Sequence, residues 1–97
     1  MQETEFDQLA TQELSTLSEL LEDNVTDDNV EIDYLDEVLN IVCARGEYVI
    51  NKHKPTRQIW VSSPISGASY FILQDGEWRN KRDQVILRDK ICSELGL

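Results

Sequence analysis

The sequence has no Lys or Arg before Arg45, although 13 of its 19 acidic residues lie in that stretch. All nine basic residues follow, together with the other six acids, so the formal charge is −13 over residues 1–44 and +3 over residues 45–97. The net charge of −10 disfavours nucleic acids and anionic membranes as partners, because Coulomb repulsion would oppose each encounter. Cations and basic protein surfaces are the partners that this charge favours.

Long apolar runs and closely spaced cysteines are missing as well. No run approaches the roughly 20 apolar residues that cross a bilayer, and the N-terminus is acidic, so we expect no targeting signal. Cys43 and Cys92 lie far apart in the sequence, which predicts reduced and buried thiols rather than a disulfide framework. The length of 97 residues predicts a single domain over residues 1–97.

The first apolar pattern has the period of a helix. At 100° per residue the apolar side chains form one stripe, which predicts a helix over about residues 3–23. The stripe consists of Phe6, Leu9, Ala10, Leu14, Leu17, Leu20 and Leu21. Glu19, Glu22 and Asp23 point away from it and form a solvated acidic face. Glu13 falls inside the stripe, and the sequence does not explain it.

After the predicted helix the apolar period changes to two. Apolar residues at 30, 32 and 34 alternate with polar residues at 29, 31 and 33. This alternation predicts a strand with one buried face and one acidic, solvent-exposed face. Turns at 35–37, 45–46 and 75–76 and a basic loop at 52–56 separate further predicted strands at 38–43, 48–51, 58–62, 69–73 and around Trp78. The short connections predict an antiparallel meander.

A second amphipathic helix is predicted over residues 85–95, with Gly96 as its C-cap. Two helices with apolar stripes and a sheet with one apolar face predict an α+β two-layer sandwich. In it, the N- and C-terminal helices pack on one face of an antiparallel sheet of five to six strands.

Two runs in the central strands carry a family resemblance. Tyr48-Val49-Ile50-Asn51-Lys52 and Gln58-Ile59-Trp60-Val61-Ser62-Ser63-Pro64 closely resemble segments of the frataxin family, including its bacterial member. The likeness extends over most of the chain, to Glu5-Phe6, Leu9-Ala10, Glu19, Glu22, Asp23, Val38-Leu39 and Trp78.

The resemblance implies a frataxin-like fold and a role in iron-sulfur cluster assembly, with a cysteine desulfurase and a scaffold protein as partners. It also implies weak surface binding of ferrous and ferric iron without an organic cofactor, a bacterial cytoplasmic location, and a monomer that iron could drive into oligomers. The implied metal ligands, called the acidic ridge below, are Glu19, Glu22, Asp23, Asp27, Glu31 and Asp33. The implied partner-binding residues are Glu19, Glu22, Asp23, Asn51, Gln58 and Trp60. The chain departs from the family at Asn29, where an acid is frequent, and by ending at Leu97 without the extension of longer members.

The chemistry of the acidic ridge suits hard cations, because iron accepts carboxylate oxygens readily and needs no preformed cage to bind them weakly. His53 is the only histidine, which excludes a two-histidine facial triad and the paired Glu-x-x-His motifs of di-iron bundles. We therefore expect a regulator or iron donor that makes no bonds itself. A ferroxidase or iron-detoxifying protein that uses the same carboxylates is the alternative.

Two further explanations of the ridge are a charged face that only maintains solubility and an acidic adaptor without a metal. Solubility does not require one sign of charge to be segregated, and like charges such as Glu19 with Glu22 and Asp23 cost a few tenths of a kcal/mol each. We infer that something outside the chain offsets this repulsion.

Trp60 is the candidate anchor of the sheet surface. If Ile59 and Val61 face the core, the alternation places the indole in solvent beside Asn51 and Gln58, as in an interface hot spot. The opposite register, with Trp60 buried, stays open at this point. Three further expectations are local positive charge from Lys52, Lys54 and Arg57, sheet packing by Tyr70 and Trp78, and a loop position for His53.

Overall fold

The computed structural model describes residues 2–97 and, within them, two α-helices on one face of a six-stranded antiparallel sheet. The strands follow one another across the sheet in chain order, so the predicted two-layer α+β sandwich is confirmed. Within the same residues, neither helix is long and apolar enough to cross a membrane. The elements are α1 (Glu3–Asn24), β1 (Glu31–Leu35), β2 (Val38–Cys43), β3 (Gly46–His53), a 3₁₀ helix (Lys54–Thr56), β4 (Gln58–Ser63), β5 (Gly67–Gln74), β6 (Glu77–Asn80) and α2 (Leu87–Leu95).

The core lies between the helix layer and the sheet, where the apolar stripe of α1 meets the inward side chains of the strands. Burying an aliphatic or aromatic side chain stabilises the fold by about 1.5–3 kcal/mol. The buried set comprises Phe6, Ala10, Leu14, Leu17 and Leu21 of α1, Leu87 and Ile91 of α2, and Leu39, Ile41, Tyr48, Ile50, Ile59, Val61, Phe71 and Trp78 of the sheet.

Glu13, which the sequence left unexplained, joins the two helices. Its side chain is only 9% exposed, and both carboxylate oxygens accept hydrogen bonds from Arg88 at 2.9 Å. The hydrogen bonds to Glu13 raise the pKa of Arg88 above its ordinary value. A buried carboxylate is tolerated only when it is paired and hydrogen-bonded, so Glu13 occupies the stripe because α2 supplies its counter-ion.

Strand β3 is longer than predicted. The prediction of a strand at 48–51 and a loop from Lys52 is wrong, because Lys52 and His53 continue the ladder and pair with Ile59 and Gln58. The preceding turn consists of Ala44 and Arg45 rather than residues 45–46, since Cys43 already pairs with Gly46. The alternation of side chains therefore continues two residues beyond the predicted end.

The β1–β2 turn is a two-residue hairpin at Asp36 and Glu37. Both residues are left-handed, with φ of 53° and 63°, which suits the right-handed twist of the flanking strands. Leu35, predicted to be part of this turn, instead pairs with Val38 as the last residue of β1.

Helix α2 begins two residues later than predicted. Val85 and Ile86 bind β6, since the Asn80 N–H donates to the Val85 carbonyl at 2.9 Å and Arg79 forms a bridge with Ile86. Ile86 is therefore extended, with φ −76° and ψ 138°, and serves as the N-cap, while Gly96 is the left-handed C-cap with φ 76°.

Glu94 attaches the end of α2 to the sheet. Its Oε1 accepts hydrogen bonds from the Tyr48 hydroxyl at 3.0 Å and the Ser63 hydroxyl at 2.6 Å, and its Oε2 accepts from Ser66 at 2.8 Å. Lys90 lies 3.2 Å from the same carboxylate. Burial would raise the pKa of Glu94, but these four donors outweigh it and lower the pKa. Burial and the Glu94 carboxylate together raise the pKa of Tyr48 to about 12.

Substitution Glu94→Gln should cost about 1–2 kcal/mol of unfolding free energy at pH 7, because a neutral amide oxygen accepts weaker hydrogen bonds than the carboxylate and the amide NH₂ cannot accept one from Ser66. Since the folded pKa is lowered, this contribution is present above the ordinary value of 4.5 and is lost as the pH falls through the folded value. Urea unfolding of both proteins from pH 7 to pH 3 measures the difference, which should shrink below about pH 4.5. A difference that stays constant with pH would contradict the charged role of Glu94.

Candidate functional site

The acidic ridge is exposed over its whole length. Glu19, Glu22 and Asp23 lie on the outward face of α1, Asp27 lies in the link to the sheet, and Glu31 and Asp33 belong to β1. Ile32, between the last two, packs against the core, so Glu31 and Asp33 point away from the helix layer. The ridge thus runs from the end of α1 around the edge of the sheet.

An open concavity lies at the centre of the ridge, between the end of α1 and the start of β1. Four predicted ligands line it, namely Glu22, Asp27, Glu31 and Asp33, together with Asp28, which the prediction omitted. Glu19 belongs with Asp23 to the adjoining helix face rather than to this concavity. The structure therefore brings together acids that are up to eleven positions apart in sequence.

The link between α1 and β1 is ordered by its own hydrogen bonds. The Asn29 N–H donates to Asp27 Oδ1 at 2.9 Å, and the Val30 N–H donates to the Asp27 carbonyl at 3.0 Å. Asp27 therefore shapes this turn while its side chain also lines the concavity. Asn29, noted as a departure from the family, contributes its backbone here.

No ion pair within residues 2–97 involves a ridge carboxylate. The acids that do pair with Lys or Arg in this range are Asp7, Glu13, Glu37, Glu77 and Glu94. The ridge carboxylates are thus not neutralised by a cation of residues 2–97, as the sequence predicted.

The position of the ridge on α1 is electrostatically unfavourable. Glu22 and Asp23 lie in the last turn of α1, a helix (Glu3–Asn24) whose last turn carries no basic residue. The C-terminal end of a helix carries partial negative charge, so cations there are stabilising and anions destabilising by about 0.3–1 kcal/mol each. A cation bound at this end would relieve both the dipole and the mutual repulsion.

Protection of the sheet edge explains only part of the ridge. Charged residues on an edge strand discourage pairing with another chain, and β1 is an edge strand, so Glu31 and Asp33 suit that purpose. Glu19, Glu22 and Asp23 are on a helix and protect no strand. The helical acids therefore need another explanation.

Across residues 2–97, no three His, Cys, Asp or Glu side chains converge on a point that could hold a metal ion. The ridge is instead an array of separate, exposed carboxylates.

The second predicted surface lies on the outer face of the sheet. Ile59 and Val61 are buried, and Asn51 and Trp60 are cross-strand partners on the opposite face. Gln58 shares that face and is the partner of His53. Trp60 is thus directed outward, as the alternation predicts, but its neighbours leave it only half-exposed.

Tyr70 and His53 belong to the same surface, and the loop position expected for His53 was wrong. Tyr70 is 41% exposed and packs on the outer face of the sheet, with its ring centroid 5.4 Å from that of Trp60, edge to face. His53 ends β3 and stacks on the indole at 3.7 Å. Trp78 is buried, as predicted. Alternation counted from Asn51 would have placed His53 on this face, whereas the place of Tyr70 follows from its pairing with Trp60 across β4 and β5.

Lys52 and Lys54 do not supply positive charge beside Trp60. Lys52 alternates onto the helix side, is 7% exposed, and binds Asp7 at 2.5 Å and Glu37 at 2.7 Å. Burial opposes its charge, but hydrogen bonds to Asp7 and Glu37 outweigh it and raise the pKa of Lys52. Lys54 also approaches Asp7, at 3.6 Å. Both lysines thus neutralise acids outside the ridge.

Comparison with known proteins identifies the family. A family model described as a frataxin-like domain matches residues 1–97. The chain belongs to the frataxin family. It is 48% identical to the mitochondrial frataxin of Arabidopsis thaliana over 75 residues, which cover 73% of this chain and 40% of that protein. The chain spans less than half the length of the curated frataxins it matches.

Solved frataxin structures share this fold. A frataxin from Psychromonas ingrahamii, of the CyaY protein family, superimposes with a TM-score of 0.84 at 21% identity, over 98% of this chain and 89% of that one. Trimeric frataxin from Saccharomyces cerevisiae, complexed with ferrous iron, gives a TM-score of 0.73 at 34% identity, over 99% of this chain and 84% of that one. The predicted frataxin-like fold is therefore confirmed.

Proposed function

We propose that this member of the frataxin family binds iron weakly at its acidic ridge and regulates the cysteine desulfurase of iron-sulfur cluster assembly. The observation that supports the proposal is the set of six exposed carboxylates that form no ion pair within residues 2–97. Other acids also lack an ion pair, but these six are gathered along the end of α1 and the edge strand β1, where a positive partner from outside could meet several of them at once.

Iron suits the ridge chemically. Ferrous and ferric ions accept carboxylate oxygens, and Glu22, Asp27, Glu31 and Asp33 line one open concavity at the negative end of α1. Exposure of these groups favours weak and exchangeable binding, which suits delivery or sensing. The yeast relative complexed with ferrous iron supports iron as the bound metal.

A basic protein surface suits the ridge and the sheet face together. Asp33, Asn40, Val49 and Ser62 are successive cross-strand neighbours on the outer face, and the adjacent row contains Asn51 and Trp60. The ridge is therefore continuous with the surface around Trp60. We propose that a desulfurase contacts the ridge through basic residues while the desulfurase–scaffold assembly covers Trp60, Asn51 and Gln58.

In this proposal the protein is a regulator or iron donor and makes no bonds itself. Ferroxidase activity is the alternative use of the same carboxylates. The trimeric yeast relatives support self-association as a further property of this chain, and its dependence on iron stays a prediction. The bacterial cytoplasmic location stays a prediction.

Anaerobic titration with ferrous iron should broaden the amide signals of residues 19–33 before those of the rest of the chain, because a paramagnetic ion would reside at the ridge. The variant Glu22→Gln/Glu31→Gln/Asp33→Asn should lose this localised broadening. Heteronuclear NMR of uniformly labelled protein provides the measurement.

The matched control for iron is Glu3→Gln/Glu5→Gln/Asp89→Asn, which removes the same number of exposed acids outside the ridge. It should keep the broadening at residues 19–33. Broadening spread evenly over the surface, or lost equally in both variants, would show that only net charge attracts the ion.

Reversal of charge at Glu19→Lys/Glu22→Lys should slow association with a purified cysteine desulfurase by roughly tenfold or more at low salt, because complementary charge steers the encounter. The control Glu3→Lys/Glu5→Lys changes the net charge equally at the other end of α1. Surface plasmon resonance at two salt concentrations separates the two variants. Equal slowing by both would assign the effect to overall charge, and an unchanged rate in the first variant would remove the ridge from the docking surface.

A further inference from the structure

Trp60 is constrained from several directions on the outer face of the sheet. His53 and Trp60 form a diagonal cross-strand pair, since His53 is opposite Gln58, two residues before Trp60. Aromatic rings reach across such diagonals. The imidazole lies parallel to the indole, with centroids 3.7 Å apart and an interplanar angle of 14°. One face of the indole is therefore covered by His53.

His53 is itself held in place. Its Nδ1 is hydrogen-bonded to Thr56 Oγ1 at 2.8 Å, and Thr56 belongs to the 3₁₀ helix that contains Pro55. Arg57 closes this segment in a left-handed conformation, with its backbone N–H and its Nη1 both donating to the Lys54 carbonyl. The imidazole is thus held by a short segment, residues 54–57, whose own hydrogen bonds keep it ordered.

The remaining contacts of Trp60 complete its orientation. The indole Nε1–H donates to Gln58 Oε1 at 2.8 Å, and Tyr70 meets the indole edge to face at 73°. The polar group of Trp60 is therefore satisfied within the chain. A docking partner would therefore not need to supply an acceptor for this N–H.

We propose that His53 is a positioning residue that holds Trp60 in its docking orientation before a partner arrives. The inference rests on the partner docking at the sheet face proposed above. Ordering an exposed side chain at an interface weakens binding, and an anchor that is already ordered avoids this loss. Loss of the stack should weaken partner binding roughly two- to tenfold, the range that ordering one such side chain represents.

Three variants test the proposal with a purified desulfurase–scaffold complex as the partner. His53→Ala removes the stack, His53→Phe keeps a stacking ring without the imidazole, and Trp60→Ala removes the anchor itself. The ¹⁵N relaxation of the Trp60 indole N–H in the free protein, assigned by its loss in Trp60→Ala, reports its mobility. Isothermal titration calorimetry reports affinity, and thermal unfolding reports stability.

We expect His53→Ala to leave stability nearly unchanged, to increase indole mobility and to weaken binding, and we expect His53→Phe to restore both the order and the affinity. Thr56→Ala, which only releases the imidazole, should shift mobility and affinity in the same direction and serves as a second test if His53→Ala unfolds.

An unchanged indole mobility in His53→Ala would overturn the proposal. So would a loss of affinity in His53→Phe despite an ordered indole, because that result would mean that the imidazole contacts the partner directly. If Trp60→Ala itself binds normally, the docking surface of the proposed function fails. If Trp60→Ala binds weakly while His53→Ala binds normally, only the positioning role fails.

Discussion

The structure depends on a division among its acidic residues between those that the chain neutralises and those that it leaves charged. Lys52 binds Asp7 and Glu37, Arg88 binds Glu13, and four donors surround Glu94. Each of these acids joins elements that are distant in sequence. The acidic ridge receives no such partner within residues 2–97 and lies partly at the negative end of α1. The fold therefore tolerates repulsion at one edge, and an external cation or basic surface would remove it.

The sandwich positions this charge next to the candidate docking surface. Because β1 is the edge strand nearest the end of α1, helical and strand carboxylates line one concavity. Because β1 also belongs to the sheet, Asp33 lies in a row of cross-strand neighbours on the outer face, and the adjacent row contains Trp60. An iron ion and a basic partner would thus use neighbouring or shared groups, which gives a physical route by which iron could alter partner binding.

The periodicity of apolar residues and the distribution of charge along the sequence were enough to predict the secondary structure and the exposed acids. Contacts between side chains of different elements could be seen only in the structure. The helical stripe, the strand alternation and the segregated acids gave the sandwich and the exposed ridge. The pairing of Glu13 with Arg88 spans 75 positions and has no local signal. Lys52 was assigned to the wrong face because a run of basic residues suggested a loop where the ladder continued. Tyr70 was missed because its place beside Trp60 follows only from the register between β4 and β5.

The sign of a stability change tests the central claim most directly. At low ionic strength, urea unfolding of Glu22→Gln/Asp23→Asn/Glu31→Gln should give a higher free energy of unfolding than the native sequence, because mutual repulsion and the unfavourable helix end are relieved. Asp7→Asn, which disrupts an acid that Lys52 neutralises, should give a lower one. A ridge variant that is less stable than the native protein would contradict the account, since its carboxylates would then be stabilised from within the chain.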